Sequence, residues 1–66
     1  MKTGEILKKY RLKAKKTQKQ VAEKLGWSRP YISQLESREN IEMSTIIYYA
    51  EAIDCDVRLI LKKRKK

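Results

Sequence analysis

The side chains able to do chemistry in this chain are mostly ammonium, guanidinium and carboxamide groups. Seventeen of the 66 residues are lysine or arginine, eight are aspartate or glutamate and none is histidine, for a formal charge of +9. With one cysteine, Cys55, and no histidine, no residue spacing suits a metal ion and no internal disulfide can form. Acid–base catalysis would then need paired carboxylates in a cleft, and neither such a pair nor a nucleophile–base pair stands out. The expectation is a chain that is not an enzyme and takes no cofactor. Anion binding remains, and its residues are unevenly placed. Residues 1–38 hold eleven basic and three acidic side chains, 39–56 five acidic and no basic, and 57–66 six basic, for net charges of +8, −5 and +6. One face should seek a polyanion and another should turn away from it, although this charge would also suit a merely soluble basic protein.

The elements that would aim those groups are clearest in residues 17–36, TQKQVAEKLGWSRPYISQLE. Thr17 and Gln20 form a T-x-x-Q capping box, so a helix should start at Gln18. Val21, Ala22 and Leu25 give it one apolar face, and Gly26 supplies the left-handed residue that ends it. Ser28 is a second N-cap, Pro30 sits where the first helical turn tolerates a missing N–H, and Ile32 and Leu35 repeat the apolar face. Two helices joined this tightly cross steeply, and the small Ala22 lets their backbones approach. The plainer alternative is a packed helical hairpin with no ligand.

This segment resembles the helix-turn-helix of the Cro/C1-type (Xre-like) DNA-binding family. Gln18, Ala22, Gly26, Ile32, Leu35 and Glu36 fall on the family's pattern, and the likeness runs from about Leu7 to Ile53. It implies an all-α, lambda-repressor-like domain of four helices whose third helix enters the major groove of double-stranded DNA. By the same resemblance the base-reading positions are Arg29, Pro30, Ser33 and Gln34. Arg29 suits guanine, Gln34 suits adenine, and Pro30 offers only apolar contact where the family is commonly polar. Contacts to the DNA backbone are expected from Thr17, Gln18, Lys19, Ser28, Tyr31 and Arg38, with Tyr31 alternatively packing behind the helix. The family also pairs the residues matching Arg11 and Glu36 in a partly buried ion pair, which here would tie the first helix to the third. Where family members commonly carry Gly-Leu, this chain has Lys15 and Lys16. A left-handed lysine costs roughly 1 kcal/mol, so the first connection should be irregular or the helix should run on.

The remaining chain supplies the frame. A first helix is expected over residues 4–15, with Thr3 as cap and Ile6, Leu7, Tyr10 and Ala14 as its buried stripe, opposite Lys8, Lys9, Lys13 and Lys16. Residues 37–42 read as a polar loop. A fourth helix should follow over residues 43–54, capped by Glu42 or Ser44, with Met43, Ile46, Ile47, Ala50 and Ile53 facing the core. The family usually has Pro-Ser where this chain has Ile41 and Glu42. Tyr48 and Tyr49 are adjacent, so at least one must reach the domain edge or a partner. Cys55 reads as a small buried hydrophobe rather than a redox thiol.

Domain organisation then reads as a helix-turn-helix domain over 1–55, a strand over 56–62 and a basic tail over 63–66 expected to be disordered. The strand rests on DVRLILK, in which Val57, Leu59 and Leu61 alternate with Arg58, Ile60 and Lys62. A lone strand finds partners for its N–H and C=O groups in a second copy, so Val57, Leu59, Ile60 and Leu61 should form an antiparallel dimer contact. The alternative is a final helical turn on the fourth helix. The tail would either touch phosphates or keep the protein soluble. No run is long and apolar enough for a membrane span and residues 1–10 lack a secretory core, so a cytoplasmic, nucleoid-associated protein is expected. The functional expectation is a dimeric repressor that reads a short inverted repeat and acts by occlusion, because 66 residues leave no room for an effector domain. Two alternatives stay open. One is the DNA-binding antitoxin of a toxin–antitoxin pair, with a toxin as second partner, although little chain is left to wrap one. The other is a non-enzymatic module for acidic proteins or RNA.

Overall fold

The computed structural model describes residues 2–55. Among them the chain forms four helices: α1 (Thr3–Lys13), α2 (Gln18–Leu25), α3 (Arg29–Glu36) and α4 (Met43–Ala52). The expected dimer strand at 56–62 and the basic tail at 63–66 lie outside the described residues. Helices α2 and α3 pack on each other, α1 leans on α3, and α4 closes the bundle against α2 and α1. Val21, Ile32, Leu35 and Tyr49 are the largest fully buried side chains. Burying each of the aliphatic ones is worth about 1.5–3 kcal/mol, so a core this small depends strongly on every contact.

The helix-turn-helix unit forms for the reasons its sequence suggests. Thr17 Oγ1 accepts from the Gln20 N–H at 3.0 Å while the Thr17 N–H donates to Gln20 Oε1 at 2.8 Å. Ser28 Oγ accepts from the Tyr31 N–H at 3.2 Å, with Pro30 in the first turn of α3. Gly26 has φ 72°, and the Trp27 N–H reaches back to the Ala22 carbonyl at 2.9 Å. That is a Schellman ending, which satisfies carbonyls the helix leaves open.

The same ending recurs after α1 and α4 on residues less suited to it. Lys15 (φ 59°) lets the Lys16 N–H reach the Arg11 carbonyl at 3.1 Å, and Asp54 (φ 58°) lets the Cys55 N–H reach the Ala50 carbonyl at 2.9 Å. Helix α1 therefore stops at Lys13 rather than running on to Lys15, and α4 stops at Ala52 rather than Asp54. The strain expected near Lys15 and Lys16 sits on Lys15.

Two buried stripes are phased differently from the expectation. On α1 the buried residues are Gly4, Leu7 and Arg11, while Ile6 and Tyr10 are exposed and Ala14 is half-buried. The cause is close packing at Gly4, where an added Cβ would lie 2.4 Å from the Leu35 carbonyl oxygen. That contact rotates the helix so that Arg11 faces inward. Thr3 is the first helical residue and not a cap; the Thr3 and Gly4 N–H groups instead donate to the Glu39 and Arg38 carbonyls at 3.2 and 2.9 Å. The loop after α3 thus caps α1. On α4 the buried residues are Tyr49, Ala50 and Ala52, with Ile46 half-buried and Ile53 buried just past the helix end, while Met43 and Ile47 are exposed. Glu42 occupies the N-cap position without a side-chain hydrogen bond. Of the adjacent tyrosines, Tyr49 is buried and Tyr48 lies at the edge.

Two substitutions separate strain from close packing. Lys15→Gly relieves the left-handed lysine at an exposed site and should stabilise the fold by about 0.5–1 kcal/mol, read as a higher urea midpoint. Gly4→Ala must push α1 off the α3 backbone and should cost at least about 2 kcal/mol. A neutral Gly4→Ala variant would contradict the close α1–α3 contact.

Candidate nucleic-acid interface

Arg29, Pro30, Ser33 and Gln34 are all exposed, and their spacing puts them on the outer face of α3. Ser28, Pro30, Tyr31, Ser33, Gln34 and Ser37 line a shallow open concavity along it. No carboxylate lies in this set, and the one acidic residue of α3, Glu36, is buried on the opposite side. The face therefore offers a guanidinium, a carboxamide and hydroxyls with nothing to repel a phosphate. Ser37 is partly committed, since its Oγ donates to the Gln34 carbonyl at 2.8 Å. Ser28 Oγ accepts at the cap and keeps its own proton to donate outward.

The expected backbone contacts divide into two kinds. Lys19 and Arg38 have exposed side chains. Thr17 is held by the capping box and Tyr31 is half-buried, its ring edge-on to Trp27 at 5.2 Å. Gln18 is half-buried, and its Nε2 donates to Glu36 Oε1 at 3.1 Å. One proton of that amide is thus committed inward and the other stays free, beside the open backbone N–H groups that begin any helix. The carbonyl of Arg38 accepts from Gly4 even though its side chain is exposed, so this residue both caps α1 and presents a cation.

Behind the face lies a buried polar cluster. Arg11 donates through Nε to Glu36 Oε2 at 2.7 Å and through Nη2 to Oε1 at 3.1 Å, with the two side chains 7% and 4% exposed. Such a two-pronged grip fixes orientation as well as charge. Arg11 Nη1 donates to the Lys16 carbonyl at 2.9 Å, so the strained α1–α2 turn is bound to the same guanidinium. Tyr49 completes the cluster, its hydroxyl donating to Glu36 Oε2 at 2.5 Å. No buried side-chain nitrogen or oxygen among the described residues lacks a partner.

The electrostatics follow from this geometry. Burial pushes the Glu36 carboxyl up, but hydrogen bonds from Arg11, Tyr49 and Gln18, with the Arg11 charge, outweigh it and hold the group below its ordinary value. The hydrogen bond to Glu36 holds Arg11 above its ordinary value against the opposing effect of burial. Burial, with the bond to Glu36, raises the Tyr49 hydroxyl. The sequence pointed to Arg11 and Glu36 through the resemblance but missed Tyr49 and the inward turn of Gln18. Tyr49 sits three residues after Ile46 and four before Ile53, a spacing that already suited a buried position.

The capped pair α2–α3, the left-handed Gly26 between them and the outward α3 face together define a helix-turn-helix DNA-binding domain. The chain belongs to the Cro/C1-type helix-turn-helix family, whose family model, described as helix-turn-helix, matches residues 7–60. That family comprises DNA-binding transcription regulators that act on double-stranded DNA. No curated protein and no solved structure matches the chain. Among the described residues no helix is long and apolar enough to cross a membrane.

Breaking the cluster from one side leaves a buried charge unpaired. Glu36→Gln should cost about 3–5 kcal/mol in urea unfolding near neutral pH, and Arg11→Met a similar amount. The Arg11→Met/Glu36→Leu pair should cost clearly less than the sum of the single changes. Because the fold holds the Glu36 carboxyl below its ordinary value, its contribution is present above the unfolded-state value and is lost as pH falls through the folded-state value. Acid titration of the urea midpoint should show this slope in the wild type and a shallower one in Glu36→Gln.

Proposed function

We propose that this chain is a dimeric repressor that reads a short inverted repeat, with one α3 helix in the major groove of each half-site. The observation that carries this reading is the outward, carboxylate-free face of α3 with Arg29, Pro30, Ser33 and Gln34 exposed together. In it Arg29 donates two hydrogen bonds to guanine, Gln34 pairs with the donor and acceptor of adenine, Ser33 contacts either, and Pro30 touches a thymine methyl. Thr17, Gln18, Lys19, Ser28, Tyr31 and Arg38 position the domain on the phosphates. Gln18 does so through its backbone N–H and the second proton of its amide.

The dimer is supported by the apolar sequence pattern of Val57, Leu59, Ile60 and Leu61 and by the exposed Met43 and Ile47 on α4. Repression needs only occupancy of a promoter. The site of action is the nucleoid in the cytoplasm. The charge distribution supports the same orientation: the basic block spans α1 to α3, and the acidic block, with Glu39, Glu42, Glu51 and Asp54, spans the last loop and α4.

Readout and positioning separate by mutation. Gln34→Ala should lose about 1–3 kcal/mol on the preferred duplex and little on random DNA, measured by fluorescence anisotropy. Lys19→Ala should weaken both and lower the slope of log affinity against log salt by about one. Equal losses on both duplexes for Gln34→Ala would refute base reading, and salt-sensitive binding to any polyanion would favour an RNA or acidic-protein module instead.

A further inference from the structure

Helix α4 carries no residue of the proposed DNA-reading set, yet it reaches both ends of α3. The backbones of the two helices do not approach closely, since α4 lies against α1 and α2. The links run through the side chains of its adjacent tyrosines. At the C-terminal end of α3, the fully buried Tyr49 donates its hydroxyl proton to Glu36 Oε2. At the N-terminal end, Tyr31 packs edge-on against Trp27 at 5.2 Å, and Trp27 in turn packs edge-on against Tyr48 at 6.5 Å. Both ring pairs lie within the range of favourable aromatic contact.

We propose that Tyr48 and Tyr49 are positioning residues for DNA recognition, fixing the tilt of α3 by holding its two ends from one helix. Successive residues on a helix point about 100° apart, which suits them to diverge toward opposite ends of a neighbour. Glu36 closes the second route. Its Oε1 holds the Gln18 amide and Oε2 holds Tyr49, with Arg11 on both oxygens, so loss of the tyrosine hydroxyl leaves the end of α3 held from α1 and α2 alone and removes its tie to α4. Arg29 and Gln34 lie between the two anchored ends, so a small rotation of α3 changes which base edges they meet. Phosphate contacts from Lys19 and Arg38 tolerate such a rotation better than two-pronged base contacts do. The proposal rests on the DNA-reading role of α3 and adds to it a specificity role for a helix that does not touch DNA.

The test uses the full chain with Tyr49→Phe, which keeps the ring and removes the hydroxyl, and Tyr48→Ala, which removes an exposed contact. Both are measured at a temperature where circular dichroism shows wild-type helix content. The ratio of affinity for the preferred duplex over random DNA should fall about fivefold in Tyr49→Phe and about threefold in Tyr48→Ala, with random-DNA affinity within about twofold of wild type. In the free protein, backbone amide shifts should move within α3, near residues 34–36 for Tyr49→Phe and 29–31 for Tyr48→Ala. Emission of Trp27, the only tryptophan, should change in Tyr48→Ala alone. Lower stability with an unchanged specificity ratio and unmoved α3 amides would overturn the proposal, because that is what a purely structural role produces. A wild type with no preference among duplexes would instead refute DNA reading itself, and the α3 amides would still decide whether the tyrosines hold the helix.

Discussion

A buried carboxylate must be surrounded by donors, and in this fold that requirement fixes where the helices stand. Glu36 sits at the end of α3 and takes hydrogen bonds from Arg11 on α1, Gln18 on α2 and Tyr49 on α4. Each oxygen accepts two of them. A shift of any one helix leaves a charge or a hydroxyl short of a partner in a medium where that is expensive, so the cluster favours one arrangement over near alternatives. The apolar core alone would not be so selective, because its largest members, Val21, Ile32, Leu35 and the Tyr49 ring, bind without direction.

The cluster also accounts for features that look unfavourable in isolation. Lys15 is held left-handed at a cost, but that turn lets Lys16 exchange two hydrogen bonds with Arg11, one through its N–H and one through its carbonyl. The strain is thereby coupled to the ion pair. Helix α3 has eight residues, too few to be stable alone, and takes its orientation from its neighbours. Because Glu36, Ile32 and Leu35 face inward and satisfy that need, the opposite face is left to polar groups that pack against nothing. Such a face can meet base edges without first giving up internal contacts.

Much of this was legible in the sequence, and the boundary is informative. Residues 17–36 carried their own punctuation in Thr17, Gln20, Gly26, Ser28 and Pro30, each of which acts locally, and the helices there begin and end where those residues dictate. The stripes of α1 and α4 were misphased for one shared reason. Their inward positions include Gly4, Arg11 and Tyr49, which a search for apolar spacing passes over, while Ile6, Tyr10, Met43 and Ile47 fit the pattern and are exposed. Close backbone approach and polar burial are tertiary facts, set by a carboxylate 25 residues from its arginine. The inward turn of the Gln18 amide has the same origin. The candidate reading face was legible because a short helix with one apolar side leaves little choice about the other.

We propose that this frame holds the outer face of α3 against a defined sequence of bases in two copies. Selection and sequencing of duplexes bound from a library randomised over about 24 base pairs at near-physiological salt decides between reading and general binding. Enrichment of an inverted repeat with half-sites centred about one helical turn, roughly 34 Å, apart is the predicted result. Retained binding with no enriched sequence would refute base reading and leave α3 as a general anion-binding surface.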